Sequence, residues 1–139
     1  ILSYNARLIQ TSLQKGRPRR TLTAVELEMM NVIWRLGACT VSQVREALRP
    51  ERELAYTSIS TIIRILEQKG FVTSEKAGRG HLYRAAISKQ DYQALSLGHL
   101  VDKVFDQTPS LLVQRLLDSD SLTGEELTRI RALLRRKAG

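Results

Sequence analysis

A mainly α-helical chain carrying one small β-hairpin is what the sequence predicts, and three observations predict it. Three short amphipathic stretches succeed one another between residues 23 and 70. Two strand-like segments follow directly, on either side of the glycine-rich tip Ala-Gly-Arg-Gly at 77–80. Three more apolar-striped helical stretches then fill residues 89–137. Three helices and a two-stranded hairpin, in that order, are the elements of a winged helix-turn-helix. The expected organisation is a basic N-terminal arm over 1–20, the winged helix-turn-helix over 21–88, and a helical dimerisation domain over 89–139.

Thr23 opens the first helix: its hydroxyl can accept from the backbone of Glu26 while the Glu26 carboxylate returns the bond, a capping box. Leu27, Met30, Ile33 and Trp34 make the apolar stripe, and Gly37 stops the helix after Leu36. Residues 38–41 form a short extended connector. Thr40 or Ser42 caps the second helix, which turns Val44, Ala47 and Leu48 inward and ends at Pro50. The third helix lies within 54–70, where Ile59, Ile62, Ile63 and Leu66 recur at i, i+3, i+4 and i+7 and Gly70 terminates. Strands are expected at 71–76 and 81–86. Ser88, with Asp91 three residues on, opens a helix over 89–106. Pro109 starts one over 110–118, and Thr123 with Glu126 caps a last one over 123–137.

The outer face of the third helix is the candidate functional surface. It carries Tyr56, Thr57, Ser58, Ser60, Thr61 and Arg64, with no acidic residue between Glu53 and Glu67. A solvated helix ordinarily mixes both charge signs. A helix in a DNA major groove avoids carboxylates, which phosphates repel, and favours hydroxyls and arginine, which reach phosphates and base edges. Arg79, at the hairpin tip between Gly78 and Gly80, reads either as a solvated charge or as a phosphate or minor-groove contact; the helix-turn-helix before it favours contact. Arg17, Arg19 and Arg20 read as a second DNA-touching arm or a basic tail, native or left over from cloning.

Net charge is +8 over 139 residues, which favours a polyanionic partner, but five of those charges lie in residues 1–20. The remainder is nearly balanced, so a DNA face must come from local placement. Cys39 is the single cysteine; it suits a small core position and a reducing cytosol. No apolar run approaches the roughly 20 residues of a membrane helix, residues 1–14 have no signal-peptide cleavage site, and stable membrane association is not expected. No phosphate-binding loop, nucleophile turn or metal-ligand cluster is present. His81 and His99 lie far apart, Glu51 and Glu53 fit a loop before a helix, and Trp34 fits a core anchor between helix and hairpin. No catalytic residue, metal or cofactor is expected.

The C-terminal helices hold more apolar surface than about 50 residues can hide. A second copy of the chain is the natural cover, with Leu95, Val104, Phe105, Leu112, Leu116, Leu127, Ile130 and Leu134 as interface candidates.

Four stretches resemble the penicillinase repressor family, the BlaI/MecI-type winged-helix regulators. They are Leu-Thr-Ala-Val-Glu-Leu-Glu-Met-Met-Asn-Val-Ile-Trp (22–34), Thr-Val-Ser-Gln-Val-Arg-Glu-Ala-Leu (40–48), Leu-Ala-Tyr-Thr-Ser-Ile through Lys-Gly-Phe-Val (54–72), and Gly-Arg-Gly-His-Leu-Tyr (78–83). The resemblance spans about Leu22 to Arg136. It implies a cytoplasmic homodimeric repressor that binds a palindromic operator and dimerises through its C-terminal helices. It further implies release by cleavage within that domain, triggered through a membrane sensor that responds to β-lactam. The matching region is 110–116. Staphylococcal members are cut between asparagine and phenylalanine, where Gln114 and Arg115 stand in this chain, so the region carries over and the bond's residue types do not. Copper-responsive relatives have a cysteine-rich C-terminal site that this chain lacks. Three rivals stay open: a winged-helix activator or architectural protein, a small-ligand-sensing or metal-responsive regulator, and a winged helix that binds only proteins.

Overall fold

The computed structural model describes residues 22–139; the arm at 1–20, with Arg17, Arg19 and Arg20, lies outside the described residues. Two compact units divide between Ser96 and Leu97.

Helix α1 (Ala24–Leu36) begins with the expected capping box. The Thr23 N–H donates to Glu26 Oε1 at 2.8 Å, and the Glu26 N–H donates to Thr23 Oγ1 at 3.2 Å. Gly37 ends it with φ at +78°. Met29 and Val32 join Met30 and Ile33 in the core, so α1 buries a wider arc than its predicted stripe, and Leu27 is only half-buried. Helix α2 (Val41–Leu48) is capped by Thr40, not Ser42: Gln43 supplies the reciprocal bond of a second capping box. Helix α3 (Tyr56–Gln68) buries Ile59, Ile63 and Leu66, with Ile62 half-buried beside them.

Strands β1 (Val72–Ala77) and β2 (Gly80–Ala85) pair antiparallel, Val72 opposite Ala85 and Ala77 opposite Gly80. Ala77 and Gly80 thus belong to the strands, and the turn is Gly78-Arg79 alone. Positive φ at Gly78 (+61°) and not at Arg79 gives the type II′ turn that matches strand twist. The connector adds one rung to this sheet, since the Cys39 and Tyr83 backbones exchange bonds of 3.0 and 2.8 Å. Cys39 is buried there, and burial pushes its thiol pKa up, as befits an inert core residue.

One core runs through these elements, with Phe71, Met29, Met30, Ile33, Leu48, Ile59, Ile63 and Leu66 fully buried. Each such side chain contributes about 1.5–3 kcal/mol by leaving water. Trp34 closes one side: its Nε1–H donates to the Ile87 carbonyl at 2.8 Å, and its ring lies 5.6 Å from that of Tyr92. It anchors α1 to the segment after the hairpin.

Helix α4 (Lys89–Lys103) crosses the division between units. Its start is capped as expected, Ser88 Oγ accepting from the Asp91 N–H at 3.0 Å. Its end falls three residues before the expected one, because the backbone reverses at Asp106 and Gln107 (φ +53° and +61°) and the Gln107 N–H closes onto the Val101 carbonyl. Leu95, expected at the dimer interface, is instead only 5% exposed and belongs to the core of the first unit. The first two turns of α4 therefore serve the winged helix, and the unit extends beyond residue 88.

The second unit continues with α5 (Pro109–Asp118) and α6 (Gly124–Ala138). Thr123 Oγ1 accepts from the Glu126 N–H at 3.1 Å, but only this half of the expected capping box forms. Neither α5 nor α6 has a buried residue.

Candidate nucleic-acid interface

Charged contacts hold α3 at both ends. Before its N-terminus, Arg45 Nε donates to the Leu54 carbonyl at 3.1 Å, and Arg52 grips Glu28 of α1 through two bonds of 2.8 and 3.1 Å. At its C-terminus, Lys69 Nζ lies 2.7 and 3.0 Å from the two Glu26 oxygens, with both side chains at least nine-tenths buried. Glu26 thus caps α1 and clamps the end of α3 at once. Burial pushes its carboxyl pKa up, but the bonds from Lys69 and the Thr23 backbone, with the Lys69 charge, outweigh this and leave it below the ordinary value.

So fixed, α3 exposes Tyr56, Thr57, Ser58, Thr61 and Arg64, as expected. Ser60 differs. It is half-buried, turned into the groove between α3 and the hairpin. The exposed row runs further than expected, through Ile65 to Gln68. Thr57, Thr61, Arg64 and Gln68 stand at i, i+4, i+7 and i+11, so one helical face carries all four. Continuing the period past Arg64 is the signal that finds Gln68. The Thr61 hydroxyl donates to the Thr57 carbonyl at 2.9 Å, so its proton is engaged within the helix.

Between α3, the start of α2 and the hairpin lies a groove of about 570 Å³. Arg64, Arg79 and His81 line it together with Tyr56, Ser42 and Tyr83. Arg79 is exposed at the tip of the hairpin. Glu67 also reaches the groove, where its carboxylate accepts from Ser74 Oγ at 2.6 Å. Burial pushes the Tyr83 phenol up, and Glu67 adds to this, so Tyr83 stays a neutral donor. Thr40, Ser42 and His81 in this groove were not among the expected site residues; only folding brings the start of α2 beside the wing.

Among the interface candidates of the second unit, Val104, Leu116 and Leu134 are exposed, and Phe105, Leu112, Leu127 and Ile130 are half-buried. Leu97, Leu100, Val113, Leu117 and Leu133 add exposed apolar surface beside these interface candidates. Gln114 and Arg115 are exposed in the body of α5, and Arg115 pairs with Asp118 at 3.3 Å.

A family model described as Penicillinase repressor matches residues 22–136. The chain belongs to the penicillinase repressor family. It is a DNA-binding transcriptional repressor of winged-helix architecture and not an enzyme. It is 26% identical to the penicillinase repressor of Bacillus licheniformis over 113 residues, covering 81% of this chain and 88% of that one. It is 22% identical over 116 residues to the methicillin resistance regulatory protein MecI of Staphylococcus aureus, covering 84% and 94%. A solution structure of monomeric Bacillus licheniformis BlaI with a half-operator matches 52% of this chain and 88% of that one, at 29% identity and a TM-score of 0.45. Among the described residues of this repressor, no helix is long and apolar enough to cross a membrane, and no group of His, Cys, Asp and Glu could hold a metal ion.

Proposed function

We propose that this repressor works in the cytoplasm as a homodimer on a palindromic operator, each copy reading one half-site with α3. The observation that carries the reading is the exposed, acid-free row Thr57, Thr61, Arg64 and Gln68, flanked by Arg79 on the hairpin. Arg64 and Gln68 offer donors for base edges and phosphates, and Thr57 and Ser58 offer hydroxyls. Arg79 sits where a wing meets the neighbouring backbone, and Arg17, Arg19 and Arg20 add charge from the arm.

Dimerisation is assigned to residues 97–139. Exposed Leu97, Leu100, Val104, Leu116, Leu117, Leu133 and Leu134 supply an apolar surface that a second copy covers. Two winged helices joined this way gain a high effective concentration for the second half-site. Disrupting the second unit then releases the operator without touching a DNA contact. The inducing signal is of the β-lactam or cell-envelope type, passed from a membrane sensor to cleavage near Gln114-Arg115. A different inducer, acting without cleavage, is the second reading. The bond's location inside α5 favours it, because proteases take extended chain and prefer loop tips.

The test is Thr57→Ala with Thr61→Ala, titrated against operator and random duplex. Loss of a base contact should cost about 1–3 kcal/mol and lower the specificity ratio. A double variant that discriminates as well as wild type removes α3 as the reader.

A further inference from the structure

The exposed row on α3 is not uniformly polar. Ile65 is 36% exposed, one turn beyond Thr61 and directly after Arg64. The Thr61 hydroxyl donates its hydrogen bond to the Thr57 carbonyl at 2.9 Å. It has no free donor for a base, and what it can offer outward is a methyl group and oxygen lone pairs. Thr61 and Ile65 therefore form an apolar step within a face whose other members, Thr57, Arg64 and Gln68, are polar. A single exposed isoleucine needs no explanation by itself. This one lies at the edge of an acid-free row, beside a threonine whose hydroxyl hydrogen is engaged within the helix.

We infer that Thr61 and Ile65 together read the 5-methyl group of a thymine in each operator half-site. The inference rests on α3 being the reader and names what part of that helix reads. Among the base edges in the major groove, only thymine presents an apolar group, and threonine methyls and similar side chains recognise it by contact. Thr61, Arg64, Ile65 and Gln68 keep the i, i+3, i+4, i+7 spacing that groove-reading helices use to reach successive bases. With Arg64 and Gln68 supplying donors beside the apolar step, the helix distinguishes thymine from cytosine at that position by the methyl group.

The experiment starts from an operator selected by the intact chain out of a random duplex pool. Each thymine is then replaced by uracil, which deletes the methyl and leaves base pairing intact. One position per half-site should weaken wild-type binding about fourfold, the equivalent of one methyl left in water. Ile65→Ala with Thr61→Ser, which keeps the Thr61 hydroxyl and its bond, should bind the thymine operator with the same loss and ignore the uracil change. If no uracil replacement weakens wild type, or if the sensitivity survives in the double variant, the inference is overturned. Arg64→Ala on the same operator separates the two levels. A lowered specificity ratio keeps α3 as reader while the methyl contact falls; an unchanged ratio removes both. Because the wild type is itself read on two DNAs, a variant that fails to fold does not spare the proposal.

Discussion

Replacing Lys69 by methionine tests whether the recognition helix is held by the buried pair at its C-terminus. The variant leaves the Glu26 carboxylate buried beside an apolar side chain, and removing one partner of a buried pair costs about 3–5 kcal/mol. Glu26 keeps its bond to the Thr23 N–H at 2.8 Å, which places the loss near the lower end, at about 3 kcal/mol. For a unit of this size, that corresponds to a fall of roughly 12–24 °C in Tm. Trp34, the single tryptophan, is packed in the first unit and reports its unfolding separately from the second. Protein concentration must be held fixed, since association shifts apparent stability. Glu26→Leu together with Lys69→Met removes both charges and should recover most of the loss. A single variant within about 1 kcal/mol of wild type, or two single losses that simply add, would refute the clamp.

The same pair makes a pH prediction. Folding lowers the Glu26 pKa from 4.5, so its stabilisation is present above that value and is lost as pH falls through the lower folded one. Glu26→Gln should flatten this acid limb of the stability curve; an unaltered limb assigns it to other carboxylates. Gly78→Ala places a side chain at φ +61° with nothing within 4 Å of its Cβ, so backbone strain alone should cost about 1 kcal/mol in thermal unfolding. A neutral outcome would mean that the turn relaxes to another type. Arg79→Ala should lower the slope of log K against log salt by about 1 without altering base preference. An unchanged slope would place the wing off the backbone.

Much of the fold was legible because its signals are local. Thr23 with Glu26 gave the start of α1 from a spacing of three, and the glycine-rich tip located the hairpin to within one residue. Thr40 and Ser42 could not be separated by type, since either caps a helix; Gln43 at the third position decides for Thr40. The clamp was illegible because Glu26 and Lys69 lie 43 residues apart and meet only in the folded chain. Leu95 was misplaced for a different reason. A helical stripe shows that a face is buried but not against what, and α4 turns its first half to its own core. Ser60 belongs to the polar run in sequence, yet its position on the turn sends it into the groove. Gln68 and Ile65 follow the run of hydroxyl side chains, and only the helical period brings both onto its face.

The most direct test of the central claim compares binding of the intact chain to a duplex with two inverted half-sites and to one with a single half-site, with stoichiometry by sedimentation. Two linked reading units predict two chains on the palindrome and an affinity about 10²–10⁴ above that for the half-site. One chain per palindrome, or equal affinity for the two duplexes, would contradict it.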